Sequence, residues 1–481
     1  MVGSHSRRHA ALTALLDDVG WPVSRLAYEV NREVGTGYVS RTTASEWVNT
    51  SRVPRQPLPT VVAHVLSQAA GRAVAPEQLW PGVATSLEWV PADAGTTVSW
   101  DLHGTKALIN SWLPTGGSVF DGDRRSFMAL SGAALTAPAL QYVNQIRNVP
   151  AAGAFDQVLG SSGVSSSRVS PALVEYFQSM IGAFRRMDDI EGGSAENMKQ
   201  LGSAIGQVTG YLKNGSFTHP GLARELTSAL AQLGQVGGWM AYDADRHGLA
   251  QRYYRVGLQA AQNIGDRDLG AHILACMIYQ AASRQQDREA QDLSDAAVRV
   301  SNSAHPLVKS VVAARVAHAQ AVAGDRYGFR SATDRSAEFF DQAKVAGGGP
   351  EYLYWYDPYM TETVTGQSLV LLTLCDPRSA SSQLEEAERL LAAEVDQTGS
   401  TRPRDAYYHG AWLARAMVKR GDLHKGLATA QRIIDSGSAV KSPRTLKVLG
   451  DLDKDLDNLR EGRKLPEVRE LRHQLRSVLV A

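Results

Sequence analysis

Small residues recur about every 40 positions through the second half of the chain, at Ala250, Ala290, Ala387 and Gly426, with a degenerate member near Ser331. No other feature limits the fold as much. Two helices approach closely only where one of them has almost no side chain, so small residues at a fixed period predict helix pairs stacked on their neighbours. "GGWMAYDADRHGLAQRYYRVGLQAA" puts Gly238 at one crossing, Ala250 at the next and Tyr254 four residues on. "AWLARAMVKRGDLHKGLATAQRII" puts Ala414 at a crossing, Gly421-Asp422 at a turn and Gly426 at the second small position. The pattern is that of tetratricopeptide-like repeats, stretched beyond their usual period of about 34 residues. From about Pro171 onward the chain reads as an α-solenoid with a concave face that binds peptides or small molecules.

One interval is longer than the rest, around "KVAGGGPEYLYWYDPYM". Its aromatic residues allow two readings. They are the packed core of a long repeat, or Tyr352, Tyr354, Trp355, Tyr356 and Tyr359 line a pocket for an effector. The tail is amphipathic: Leu452, Leu456 and Leu459, then Val468, Leu471, Leu475 and Val478 after Pro466. It caps the last repeat, with a dimer contact as the other reading. His247 and His424 fall in the expected turns between helices.

The first eighty residues have a different pattern. Ala11, Leu12, Leu15, Leu16 and Val19 make one helical face, and Val23, Leu26, Ala27 and Val30 make a second after Pro22. The turn "NREVGTGYVS" follows, and then "RTTASEWVNT", a helix that Ser40 or Thr42 can cap. Ala44, Trp47 and Val48 share its inner face, which makes Trp47 structural. "TVVAHVLSQAAG" gives a fourth helix, and "VAPEQLWP" closes the unit. Four short helices with a polar, capped third helix suit a helix-turn-helix domain, in which the third helix lies in the major groove. The residues placed to meet double-stranded DNA are Arg25, Arg41, Thr42, Thr43, Ser45, Asn49, Arg52 and Arg55, the arginines through phosphates or guanine edges. From Met1 to Trp80 there are eight Lys or Arg against six Asp or Glu. That small excess favours the rival reading, a protein-interaction scaffold whose first domain does not read DNA.

"VSRLAYEVNREVG" and "SRTTASEWVNTSRVPRQPLPTVVAHVLSQAAGRAVAPEQLW" resemble the helix-turn-helix of Streptomyces and other actinobacterial transcriptional regulators with a C-terminal tetratricopeptide-like region, the NsdA-like regulators. The resemblance extends to an internal twin-arginine-like segment and to the helical remainder. It implies DNA binding and a role in sporulation or antibiotic production. One departure stands out: the turn between the second and third helices is longer than in compact phage-repressor domains.

That internal segment, "DRRSFMALSGAALTAPAL", has the Arg124-Arg125 pair, a short apolar run and a small-x-small end at Ala137-Pro138-Ala139, the parts of an export signal. Lying between two modules, it reads instead as a joining helix, with Ala133, Ala134 and Leu135 docked on the first repeats and Arg124 and Arg125 solvated. Breaks at Pro91–Thr97, Pro114–Asp123 and Gly160–Ser170 divide the chain into a DNA-binding domain (1–90), a linker (91–170) and the repeats (171–481). Strand-like alternation is brief, for example Thr97 to Trp100.

Fifty basic and 49 acidic residues cancel, so net charge points to no partner. Cys276 and Cys375 are too few for a disulfide framework, which suits a reducing compartment. No window of about 18 uncharged apolar residues predicts a membrane span. No phosphate-binding loop, nucleophile elbow or zinc-protease motif occurs, and His5 and His9 have no third ligand beside them. The sequence therefore predicts an all-α, cytoplasmic, nucleoid-associated homodimer with no catalytic residues, cofactor or metal.

Overall fold

The computed structural model describes residues 9–34, 39–50, 52–55, 58–70, 72, 74–83, 99–101, 104–105, 108, 129–146, 167–219, 221–375, 380–395, 403–435, 442–459 and 462–480. They are nearly all helical, in two units with separate cores.

The small unit holds α1 (Ala10–Asp18), α2 (Val23–Val34), α3 (Arg41–Thr50), α4 (Leu58–Ala70) and the single turn α5 (Pro76–Leu79). Leu12, Leu16, Leu26, Val30, Trp47, Val61, Leu66 and Trp80 close its core. Trp47, 2% exposed, is structural as its spacing predicts. His9 is a cap: its Nδ1 accepts the Leu12 amide at 3.1 Å, and its ring meets Trp80 edge-on. Ser40, of the two candidates, caps α3 by accepting the Thr43 amide at 3.0 Å. The long turn before α3 is anchored by Asn31, whose side chain donates to the Val39 carbonyl and accepts its amide, both at 2.8 Å.

The large unit is a stack of helix pairs: α7 (Pro171–Glu191) with α8 (Ala195–Asn214), α9 (Leu222–Asp243) with α10 (His247–Ile264), α11 (Arg267–Ser283) with α12 (Asp287–Ser301), α13 (Pro306–Val322) with α14 (Arg326–Ala346), α15 (Pro358–Cys375) with α16 (Ala380–Val395), α17 (Pro403–Arg420) with α18 (Leu423–Asp435), and α19 (Pro443–Asp457) with α20 (Pro466–Val480). The crossings fall where the small residues are. A methyl group on Gly238 would lie 2.2 Å from the Tyr254 ring. One on Gly426 would lie 2.7 Å from Val418 and 3.2 Å from the Ala414 carbonyl. The first helix of each pair packs on the first helix of the next, and α17 returns to touch α7. The stack therefore curls back on itself.

Several expectations need correction. The joining helix expected within 91–170 is present and docks on the array with Leu135 buried, but the attachment is wider than a linker's. Helix α6 (Ala133–Gln145) packs on α10 and α12, with Leu135, Ala139 and Tyr142 in the large core. The Tyr142 hydroxyl donates to the Asp266 carbonyl at 2.8 Å, Gln259 donates to the Ser99 carbonyl at 2.6 Å, and Asn263 donates to the Thr105 hydroxyl at 3.0 Å. The large unit thus reaches back to about Ser99, well before Pro171. Ser99 and Trp100 are not in a strand. The strands that do form are Ser167–Val169 (β1) and Gly215–Phe217 (β2), a parallel pair that buries Val169. The end of the third break is therefore ordered pairing. His247 and His424 sit in the first turns of α10 and α18, not in the connections before them. The breaks at 91–97 and 114–123, residues 160–166, Arg124, Arg125 and the side chains of Ala133 and Ala134 lie outside the described residues. Among the described residues, no helix is long and apolar enough to cross a membrane.

Candidate functional site

Two surfaces carry unusual side chains. The first is the outer side of α3. Burial of Ala44, Trp47 and Val48 leaves Arg41, Thr42 and Asn49 exposed and Thr43 and Ser45 half-buried along it, with Arg52 and Arg55 exposed just beyond. The polar groups are already tied together locally. The Asn49 amide donates to the Ser45 hydroxyl at 2.8 Å, and the Thr43 and Ser40 hydroxyls share a hydrogen bond of 2.8 Å. Arg52 pairs with Glu46 at 2.7 Å. Arg25, on α2, pairs with Glu29 at 2.5 Å and lies over Tyr28. The Arg52–Glu46 pair is exposed and worth about 0–1 kcal/mol, so a phosphate competes with it easily, whereas Glu29 is buried.

The second surface is inside the curl. The first helices of the pairs line a cavity that is partly open to solvent. Each contributes side chains at helical spacing: His272, Cys276 and Tyr279 from α11, Met360, Val364 and Gln367 from α15, and Arg185, Asp188 and Asp189 from α7. The irregular segment between α14 and α15, with its short 3-10 turn Glu351–Leu353, supplies Tyr352, Tyr354 and Trp355. Tyr354 reaches across to donate to Asp189 at 2.8 Å. Tyr356 is not part of the lining. Its hydroxyl bonds Ser310 and Ser336, both at 3.2 Å, and fastens the segment to α13 and α14. Tyr359 is exposed outside the lining. The aromatic run thus combines both readings, part pocket and part core.

Where the curl closes, charge is neutralised by residues far apart in the chain. Arg404 reaches Asp188 at 3.3 Å and Asp243 at 3.1 Å. Arg444 reaches Asp243 at 3.1 Å and Asp405 at 3.3 Å, and stacks on Tyr408 and Trp239. Burial pushes the Asp188 carboxyl up to about 7, against the pull of Arg404 and helped by the carboxylates of Asp243, Asp189 and Asp405. Below this cluster Tyr279, Gln367 and Tyr408 share a closed set of hydrogen bonds of 2.9–3.2 Å.

Arg315 is the exception. Its side chain is buried, with the guanidinium 4.2 Å from the Tyr279 ring, 5.5 Å from Trp355 and 5.8 Å from Trp239. Among the described residues it has no ion pair and no hydrogen bond. Three rings offset part of the cost of burying a cation, at about 0.5–2 kcal/mol each, but supply no acceptor. Beside it, burial and then the charges of Arg315 and Arg185 hold the His272 ring down to about 3, so it stays neutral. It stacks on Tyr352 at 5.3 Å, and neither ring nitrogen has a partner. Burial also pushes the Cys276 thiol up to about 11, which keeps it protonated and unreactive. These groups are suited to holding a ligand.

Most of this lining was missed in the sequence. A signal was present. "PLVKSVVAARVAHAQAV" is an apolar helix interrupted by Arg315 and His318, and "LGAHILACMIYQAAS" carries His272, Cys276 and Tyr279 at i, i+4 and i+7. Polar residues on a buried helical stripe have to face something polar.

The family model described as SP15 N-terminal domain matches residues 12–80, a span that coincides with the small unit's core. Comparison with curated proteins and with solved structures gives no match.

Proposed function

We propose that the chain is a DNA-binding transcriptional regulator in which the small unit is a helix-turn-helix and the helical array is a tetratricopeptide-like sensor. The observation that carries this reading is the exposed side of α3. A capped helix buries Ala44, Trp47 and Val48 in a core of its own and keeps Arg41, Thr42 and Asn49 at the surface, next to Arg52 and Arg55. Thr43, Ser45 and Arg25 stand at its margins. The regulator works as a homodimer, because one such helix makes few contacts and two half-sites give specificity. It acts on the nucleoid in the cytoplasm, and the resemblance to NsdA-like proteins supports a role in development or secondary metabolism.

A salt series of full-length protein binding to genomic DNA fragments tests the reading. Phosphate contacts give affinity that falls steeply with ionic strength. Arg52→Ala is expected to weaken binding by about 1–3 kcal/mol if it reads a base. Light scattering of the bound and free protein tests the dimer. The pairing of Arg25 with Glu29 and of Arg52 with Glu46 favours a second reading, a scaffold that binds proteins and not DNA. Absence of DNA binding at every salt concentration would establish that reading and end the first.

A further inference from the structure

We propose that the cavity takes a singly charged organic acid with a flat, aromatic body, its carboxylate seated on Arg315. This deepens the reading of the array as a sensor and rests on it.

Four arginines face four aspartates around the cavity, so the pairing and not the total charge gives the sign. Arg404 and Arg444 are neutralised by Asp188, Asp243 and Asp405, and Arg185 donates to Gln232 at 2.8 Å. Arg315 alone of the lining arginines has neither an ion pair nor a hydrogen bond among the described residues. Arg315 lines the cavity with no acceptor from the described residues, and a ligand that completes it there best explains its position. Stacking covers the faces of a guanidinium and leaves its N–H edge free, and a carboxylate engages that edge with two parallel hydrogen bonds.

The charge must be single. One free cation balances one negative charge, and the carboxylates of Asp188, Asp189 and Asp405 line the same cavity. A phosphate dianion would bring a second charge beside the carboxylates of Asp188, Asp189 and Asp405, which repel it.

The shape of the body follows from the walls. Trp239, Tyr279 and Trp355 surround the guanidinium, and Tyr352 lies parallel to His272 within 16°. Aromatic walls of this kind favour a flat partner over a branched aliphatic one. His272, 1% exposed, offers one donor and one acceptor with no protein partner, and the Tyr352 hydroxyl is also unpartnered. A hydroxyl or carbonyl on the ligand would satisfy them.

Isothermal titration calorimetry of the full chain tests this with four probes: naphthalene carboxylate, its neutral carboxamide, naphthylmethylammonium and naphthyl phosphate. The acid is expected to bind at least about tenfold tighter than the amide. The ammonium and the phosphate should bind no better than the amide. In Arg315→Gln the preference for the acid should vanish while amide affinity stays within about twofold. Equal affinity for acid and amide in the unmodified chain overturns the proposal but leaves a neutral-ligand sensor standing, and this comparison does not depend on the variant folding. A preference that survives in a folded Arg315→Gln overturns the role of Arg315. If neither acid nor amide binds at millimolar concentration, the acid proposal falls together with the reading of the cavity as a small-molecule site. None of these outcomes involves DNA, so DNA binding stands or falls separately.

Discussion

The two cores of this protein are built by different rules. The small unit closes on Leu12, Leu26, Val30, Trp47, Val61 and Trp80, and of its few buried polar groups His9 serves as a cap and Glu29 pairs with Arg25. The array has close helix crossings such as Gly238 on Tyr254, but the inside of its curl holds Asp188, Asp243, Arg404, Arg444, His272 and Arg315. Burying such groups costs more than burying apolar ones of the same size. The contrast teaches where to look for function. In the small unit the proposed binding groups are on the outside and leave the core undisturbed. In the array the proposed ones are on the inside, among residues that also hold the curl together.

The largest expected effects come from breaking each core by its own rule. Trp47→Ala should destabilise the small unit by about 3–5 kcal/mol. Urea unfolding followed by circular dichroism should show one transition move and the array's transition stay. A shift of both would mean that the two cores are coupled.

Asp243→Ala is the counterpart in the array. It leaves Arg404 and Arg444 buried with their shared carboxylate gone, and an effect of about 3–5 kcal/mol is expected on the array alone. A loss of under about 1 kcal/mol would mean that water reaches the closure of the curl.

Acid sharpens the contrast further. His272 and His318 stand near 3 in the folded chain against an ordinary 6.5, chiefly through burial. Below about 6.5 the unfolded chain takes up protons that the folded chain refuses, so stability falls with pH down to about 3. Asp188 works in the opposite direction. Its folded value near 7 exceeds the ordinary 3.8, so its contribution is complete below 3.8 and is lost as pH rises through 7. Two histidines against one carboxyl leave a net loss on acidification from pH 6 to pH 4, on the order of 1.4 kcal/mol per pH unit at most. Melting curves across that range should show it, and His272→Gln should reduce the slope. An unchanged slope in that variant would remove His272 from the account.

The smallest effect is the most diagnostic. Arg315→Met should leave the array as stable as before or raise its stability by about 1 kcal/mol, because it replaces an uncompensated buried charge with apolar volume. Marked destabilisation would show that the three surrounding rings already satisfy the guanidinium in the folded protein.

Much of the architecture was legible beforehand because it is written locally. The 3.6-residue period of Ala44, Trp47 and Val48, the Ser40 cap, the crossing of Gly238 with Tyr254 and the tight position at Gly426 each depend on neighbours within a few tens of residues. The β1–β2 pair escaped notice because strands of three residues are too short to show a period, and their partners lie far apart in sequence. The sequence places the boundary of the array at Pro171, later than the structure does, for a related reason. The docking of α6 on the array is expected from its apolar face, but the contacts of Tyr142 with Asp266 and of Ser99 with Gln259 join residues more than 120 positions apart and leave no local mark.

By itself, then, the sequence determined the helices, their caps, the pairs they form and the separate apolar core of the first eighty residues. Only the tertiary structure decided that Asp188 meets Arg404 across 216 residues, and that Arg315 lies among Trp239, Tyr279 and Trp355. The reason is geometric. The curl of a helical array is the accumulation of small rotations from one pair to the next, and no local window of sequence contains that sum. Residues at the two ends of the array come together only when all of those rotations are in place, and the cavity exists only then.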